Sequence, residues 1–284
     1  MSNQIQNPGG TLNIIMALMA EAKPVIDHFK LLQIDDNKVF TQKDDTIRLI
    51  VYGIGKNSAY KSVNLLAEKM ETDKSTAWLN LGIGGHRDCE LGTPFITHKI
   101  TDDDTGKSWY PPQILDFPFS SAWVTTVDKE VKDYPKDEIY EMEASGFYEA
   151  ASKYTTHELI HCIKIISDNE KSPAENVTKQ LTNDLITNNL KNIEPAVQQL
   201  LELSTQESIR LADPPYYNEF LSNWHITVTQ QHQLKRLLQR WSVLFPEEPP
   251  FKINEKGQIP GRVMLANLKE KLNDSFSRQE RGNH

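Results

Sequence analysis

The apolar positions of this chain change period along its length. Short apolar runs dominate the earlier part, and apolar residues three and four apart dominate the later part. Residues 12–19 form a run short enough for a buried strand, which we expect to be the first of a parallel sheet. Val25, Ile26, Phe29 and Leu32 follow at helical spacing. Residues 39–40 and 47–52 predict a hairpin joined through the polar Lys43-Asp44-Asp45. Gly53-Ile54-Gly55 then opens a helix marked by Leu65, Leu66 and Met70. Residues 77–85 predict another buried strand, ending in Gly82-Ile83-Gly84-Gly85, and residues 91–98 a turn and a further strand. A short strand is expected over 122–127 and a polar turn over 133–137. The chain then runs through Ile139-Tyr140-Glu141-Met142-Glu143 into a helix expected to end near Tyr154. Residues 159–166, rich in β-branched side chains, predict a strand that ends in Ser167-Asp168-Asn169. Long polar helices are expected from 173 to 210, with Leu181, Leu185, Ile186 and Leu190 on one face and Pro195 separating two of them. A break at Asp213-Pro214-Pro215 precedes a helix bearing Leu234, Leu237, Leu238 and Trp241. A Pro-rich joint at 246–250 and a last helix over 262–276 complete the pattern.

Strands alternating with helices predict an α/β fold, in which ligands bind outside the carboxyl ends of the strands. Chemistry-bearing residues are therefore sought at those ends. Glu21 follows the first strand and Asp168 ends a later one. Glu141 and Glu143 flank Met142 at a helix start, and two explanations stand side by side. Acidic residues suit the positive end of a helix dipole. A carboxylate can also accept two hydrogen bonds from a vicinal diol, with the methionine packed on the sugar face. The Gly53-Ile54-Gly55 turn can cradle an anion on backbone N–H groups or serve only as a tight turn. It also resembles a dinucleotide fingerprint, with Ser58 in the third glycine's place and Glu71 or Asp73 downstream. Three further motifs are set aside. Gly106-Lys107-Ser108 lacks the earlier glycine of a P-loop, and Asp102-Asp103-Asp104 lacks the length and terminal Glu of a calcium loop. His157-Glu158-Leu159-Ile160-His161 is a literal HExxH, but it runs into a strand, where residues four apart lie about 13 Å from each other and cannot share one metal.

Composition narrows the class. The chain has 284 residues, 38% hydrophobic and 25% charged, which describes a globular protein with modest core content. A net charge of -8 argues against general nucleic-acid binding. The charge is uneven, since from His225 onward ten Lys and Arg face six Asp and Glu. No apolar run is long enough to span a bilayer, and the first ten residues are not expected to be a signal peptide. Two cysteines, Cys89 and Cys162, suggest a reducing cytoplasm rather than a disulfide framework.

Five pieces in order carry a resemblance: Ala17-Leu18-Met19-Ala20-Glu21, Gly53-Ile54-Gly55-Lys56, Asn80-Leu81-Gly82-Ile83-Gly84-Gly85, Glu141-Met142-Glu143-Ala144 and Ile166-Ser167-Asp168. Over residues 12–210 the chain resembles the nucleoside phosphorylase and nucleosidase superfamily, most closely its 5'-methylthioadenosine/S-adenosylhomocysteine nucleosidase branch. The resemblance implies a three-layer α/β/α fold with a mixed central sheet over residues 11–212. Residues 213–284 fall outside it and are expected to form a mainly helical extension packed on the core. It implies cleavage of the N-glycosidic bond of a purine nucleoside, by water or, in a phosphorylase, by phosphate as co-substrate, with no other cofactor and no metal. Asp168 would be the general acid at the purine, with Ser167 beside it in the base site. Glu143 would bind the ribose hydroxyls with Met142 against the sugar, and Glu21 would activate the attacking water. Gly55, Gly82, Ile83 and Gly84 would form the backbone pocket for the water or anion. Many phosphorylases have an Arg at the position of Asn80, so Asn80 favours hydrolysis, with Arg48, Lys56 and Arg87 as cations that could substitute. Ile83 stands where the nucleosidases have a small hydroxyl residue and Lys164 where they have an Arg. The segment from Asp128 to Glu141 is shorter, leaving Trp109, Tyr110 or Tyr134 to stack on the base. The resemblance also implies a homo-oligomer, while the cysteines, the net charge and the lack of a spanning run point to a cytoplasmic chain that binds neither nucleic acid nor membrane. Two other classes stand beside it: a nucleoside-binding module with the basic tail as partner surface, and a nicotinamide-dependent oxidoreductase built on Gly53-Ile54-Gly55.

Overall fold

The computed structural model describes residues 9–246, 248–250 and 259–281. The expectations for the first eight residues, and for the Pro-rich joint at Glu247, lie outside the described residues. The strands are β1 (Leu12–Met16), β2 (Leu32–Gln33), β3 (Val39–Thr41), β4 (Ile47–Val51), β5 (Ala77–Gly85), β6 (Pro94–Asp102), β7 (Ser108–Trp109), β8 (Ser121–Thr126), β9 (Ile139–Glu141) and β10 (Ile160–Asp168). The helices are α1 (Met19–Phe29), α2 (Lys56–Lys69), α3 (Ala144–Ala151), α4 (Lys179–Leu211), α5 (Tyr217–Asn223), α6 (Val228–Leu244) and α7 (Gly261–Arg281).

The strands form one mixed sheet in the order β10-β6-β8-β9-β5-β1-β4-β3-β2, with β7 paired to β6. β10 also pairs with β5, so β5, β10, β6, β8 and β9 close into a ring. β4, β1, β5 and β10 run parallel, which brings Met16, Val51, Gly85 and Asp168 to one edge. β9 runs antiparallel to β5 and places Tyr140 opposite Gly85 at that same edge.

Both faces of the central strands are covered, as their near-continuous apolar runs require. Leu12, Ile14 and Met16 point to one face and pack with Ala22 and Val25 of α1 and Ile186, Ile193, Val197 and Leu200 of α4. Ile15 and Ile50 point to the other and pack with Val63 and Leu66 of α2 and Phe147 and Ala150 of α3. The architecture is therefore three layers, α/β/α, around a mixed sheet. Helices α2 and α3 approach closely at Gly146, where an added Cβ would lie 1.9 Å from the Lys56 carbonyl oxygen.

The structure corrects four boundaries. The first strand stops at Met16, because the backbone bends at Ala17 and Met19 already lies in α1. Pro195 does not separate two helices; it lies inside the continuous α4. One missing N–H is tolerated there because Ile193, Ala196, Val197 and Leu200, on both sides of it, are buried against the sheet. The helix after Glu143 ends at Ala151, before the Tyr154 expected, and the last helix extends to Arg281.

The chain divides into two compact units, Met1–Arg210 and Leu211–His284. The second has its own apolar cluster, which includes Phe220, Trp224, Leu234, Leu238, Trp241, Met264, Leu268 and Leu272 from α5, α6 and α7. Among the described residues no helix is long and apolar enough to cross a membrane.

Candidate active site

A cavity of about 270 Å³ opens at the carboxyl edge of the parallel strands. Glu21, Glu143 and Asp168 all line it, with Met142, Ser167, Ile83 and Gly84. Each carboxylate arrives from a different strand end. Glu21 lies in the first turn of α1, where Oε2 accepts from the Leu18 N–H at 3.0 Å and Oε1 from the Ile83 N–H at 3.4 Å. It thereby ties the exit of β1 to β5. Burial raises its carboxyl above the usual range, against those hydrogen bonds and the nearby Lys164 charge.

Glu143 stands at the start of α3 without capping it, and its Oε1 accepts from the Gly55 N–H at 2.8 Å. Gly55 holds φ at 102°, a conformation open to glycine, and this aims its amide at the carboxylate. The glycine turn thus presents its N–H to an internal anion rather than to a ligand. Gly55 and Gly82 sit behind the wall, while Ile83 and Gly84 face the cavity. Burial first, then repulsion from Glu141, pushes the Glu143 pKa up to about 7.

Glu141, at the end of β9, does two things at once. Its carboxylate accepts the N–H groups of Glu143 and Ala144 at 3.0 and 2.9 Å, which satisfies the open start of α3. It also accepts the Thr126 hydroxyl at 2.6 Å and pairs with Lys164 Nζ at 2.6 Å. Lys164 points inward from β10 and is 1% exposed. Burial opposes its charge, but Glu141 and Glu143 outweigh burial and hold the ammonium well above its usual range. One buried cation therefore faces Glu21, Glu141 and Glu143 together.

At the far side, β10 shifts register against β5 between Ile166 and Asp168 and turns the Asp168 side chain into the cavity. Its Oδ1 accepts the Ser167 hydroxyl and its Oδ2 the Tyr134 hydroxyl. Gly85 permits this approach, since a Cβ there would lie 2.3 Å from Asp168 Oδ2 and 2.6 Å from the Tyr134 ring. Of the three aromatics considered for the base, Tyr134 lines the cavity, beside Tyr140. Trp109 packs instead near Tyr148, and Tyr110 is 67% exposed.

The cations considered for an anion site are engaged elsewhere. Arg48 pairs with Asp45 at 2.6 Å, Arg87 with Asp88 at 2.8 Å, and Lys56 with Asp102 and Asp128 at 3.2 and 3.1 Å. Asn80 donates to the Ile15 carbonyl at 3.1 Å. Among the described residues lining the cavity there is no Lys or Arg. The HExxH histidines do not meet: His157 stacks on Tyr148, and His161 is buried with its pKa lowered to about 4 by burial. Among the described residues no cluster of three His, Cys, Asp or Glu is arranged to hold a metal.

Compared with protein-family models and with curated protein sequences, the chain finds no match. Its likeness to solved structures is clear. A 5'-methylthioadenosine/S-adenosylhomocysteine nucleosidase from Colwellia psychrerythraea, solved with adenine, superposes with a TM-score of 0.54 at 15% identity, over 68% of this chain and 96% of that one. The Campylobacter jejuni nucleosidase gives 0.52 at 15% identity, over 70% and 100%. A Helicobacter pylori nucleosidase variant with 5'-methylthioadenosine in its active site gives 0.51 at 14% identity, over 70% and 99%. The fold is that of the MTA/SAH nucleosidases. Within this nucleosidase fold, the residues that sequence reasoning left without a defined place are Lys164, the ion-pairing side of Glu141, and the Tyr134 hydroxyl. A lysine inside an otherwise apolar strand was the available signal for the first. No local pattern announces the other two, because their partners come from distant strands.

Proposed function

We propose that the chain hydrolyses the N-glycosidic bond of a purine nucleoside, releasing the free base and a ribose derivative. The observation that carries this reading is the meeting of Glu21, Glu143 and Asp168 with Met142 in one cavity at the carboxyl edge of the sheet. The chemistry fits these residue types. As the C–N bond breaks, positive charge develops on the sugar, and buried carboxylates beneath it stabilise that charge. Asp168 donates a proton to the purine so that the base leaves neutral. Glu143 binds the ribose hydroxyls, and Met142 packs on the sugar. Glu21, its basicity raised by burial, takes the proton of the water that attacks the anomeric carbon.

Hydrolysis is favoured over phosphorolysis because a phosphate dianion requires cationic or multiple N–H partners, and no Lys or Arg lines the cavity among the described residues. The enzymatic reading extends to adenosine-type substrates and to a homo-oligomer, the latter checked by light scattering. The test is chromatography of a nucleoside panel incubated with the protein, with and without phosphate. Base release independent of phosphate is expected. Release only with phosphate would overturn the hydrolytic choice, and binding without release would make the chain a nucleoside-binding module. Asp168→Asn and Glu143→Gln are each expected to lower kcat by about a hundredfold or more; rates like those of the wild type would remove those roles.

A further inference from the structure

Tyr134 is held in a way that its place in a connecting segment does not explain. It lies between β8 and β9, yet it is only 2% exposed. Its backbone sits at φ 38°, in the left-handed region that residues with a Cβ rarely adopt. The ring packs near Tyr140, with centroids 6.0 Å apart, and against the bare backbone of Gly85. The surrounding segment is pinned as well. The Tyr140 hydroxyl accepts from the Lys136 N–H at 3.1 Å, and Lys132 pairs with Glu175. All of this delivers one atom, the Tyr134 hydroxyl, to Oδ2 of Asp168. Burial and that hydrogen bond raise the phenol above its usual range, so it stays a donor at any pH the protein would meet.

We infer that Tyr134 is a positioning residue for Asp168, resting on the reading that Asp168 is the acid at the base. A carboxylate oxygen carries two acceptor sites. The Ser167 hydroxyl occupies one on Oδ1 and the Tyr134 hydroxyl one on Oδ2, which fixes the plane of the carboxyl and leaves one site on each oxygen for the purine. The same donation favours the ionised carboxyl. Tyr134 therefore sets where Asp168 points. No proton leaves Tyr134 in the cycle; the proton passes from Asp168 to the base and returns from solvent.

Tyr134→Phe removes only the hydroxyl. The expected result is a fall in kcat of about tenfold with KM changed less than about threefold. The alkaline limb of kcat, where the acid loses its proton, moves up by about one pH unit. Replacement of Tyr134 by 3-fluorotyrosine keeps the shape and strengthens the donor, so the limb moves down, which tests the proposal even if Tyr134→Phe fails to fold. A limb that stays in place in the folded variants, with kcat within twofold of the wild type, overturns it. A wild-type chain that releases no base from any nucleoside refutes the hydrolase reading instead. The tether is then read from the crystal structure of Tyr134→Phe, where an unchanged Asp168 carboxyl orientation overturns the positioning role.

Discussion

At the residue scale the site is a problem in buried charge. Glu21, Glu141 and Glu143 share one buried ammonium, Lys164, and burial disfavours three ionised carboxylates against one cation. Glu141 pairs with Lys164 at 2.6 Å, burial and then repulsion from Glu141 push the Glu143 pKa up to about 7, and burial raises Glu21 as well. The sign for stability follows. Between about pH 4.5 and 7 the folded chain holds a proton on Glu143 that the unfolded chain has lost, so stability falls as pH rises through that window. The fall amounts to something on the order of 3 kcal/mol at most. Urea unfolding at a series of pH values is expected to show it in the wild type and to show a flatter profile in Glu143→Gln; identical profiles would contradict the assignment. Glu21, Glu143 and Asp168 were legible in the sequence because each lies at or just after a strand end, where an α/β sheet gathers its ligands. Tyr134 was legible only as an aromatic near the site, since nothing local to residue 134 indicates that its hydroxyl meets residue 168.

At the element scale, the placement of Lys164 depends on the parallel pairing of β10 with β5, which sets it opposite Gly82. A Cβ at Gly82 would lie 3.6 Å from the ammonium and 3.5 Å from Glu21, so this position of β5 borders the cluster at van der Waals distance. Lys164→Met keeps the volume and removes the cation. Because Glu141 is then buried unpaired while still capping α3, the variant is expected to lose about 3–5 kcal/mol by denaturant unfolding; a loss under about 1 kcal/mol would mean that the pair is not structural. Gly146→Ala probes the other layer. Its Cβ meets the Lys56 carbonyl at 1.9 Å, so α2 and α3 must separate, at a cost of about 1–3 kcal/mol read as a lowered Tm. The central strands β1, β4, β5 and β10 were legible as apolar runs, and the β3–β4 hairpin from its polar turn. The ring closure through β9 was not, because a three-residue strand has too short a pattern and its partners are set by distant chain. Pro195 misled in the other direction: its local preference is overridden by the buried residues around it on α4.

At the scale of the whole molecule, two separate cores argue for two folding units. The clusters around the sheet draw on Met1–Arg210, and the cluster of α5, α6 and α7 draws on Leu211–His284. A chain ending at residue 212 is therefore expected to fold and to melt within about 5 °C of the full chain by circular dichroism; failure to fold would show that the sheet unit needs the later residues. The nucleosidase likeness covers 68–70% of the chain at 14–15% identity, so it speaks of the fold, and the proposed activity is argued from the cavity itself. The most direct test is the release of free base from purine nucleosides in phosphate-free buffer, followed by chromatography for the wild type and for Asp168→Asn. The account predicts base from the wild type, unchanged by added phosphate, and almost none from the variant. No base from any nucleoside, or equal release by Asp168→Asn, would contradict it.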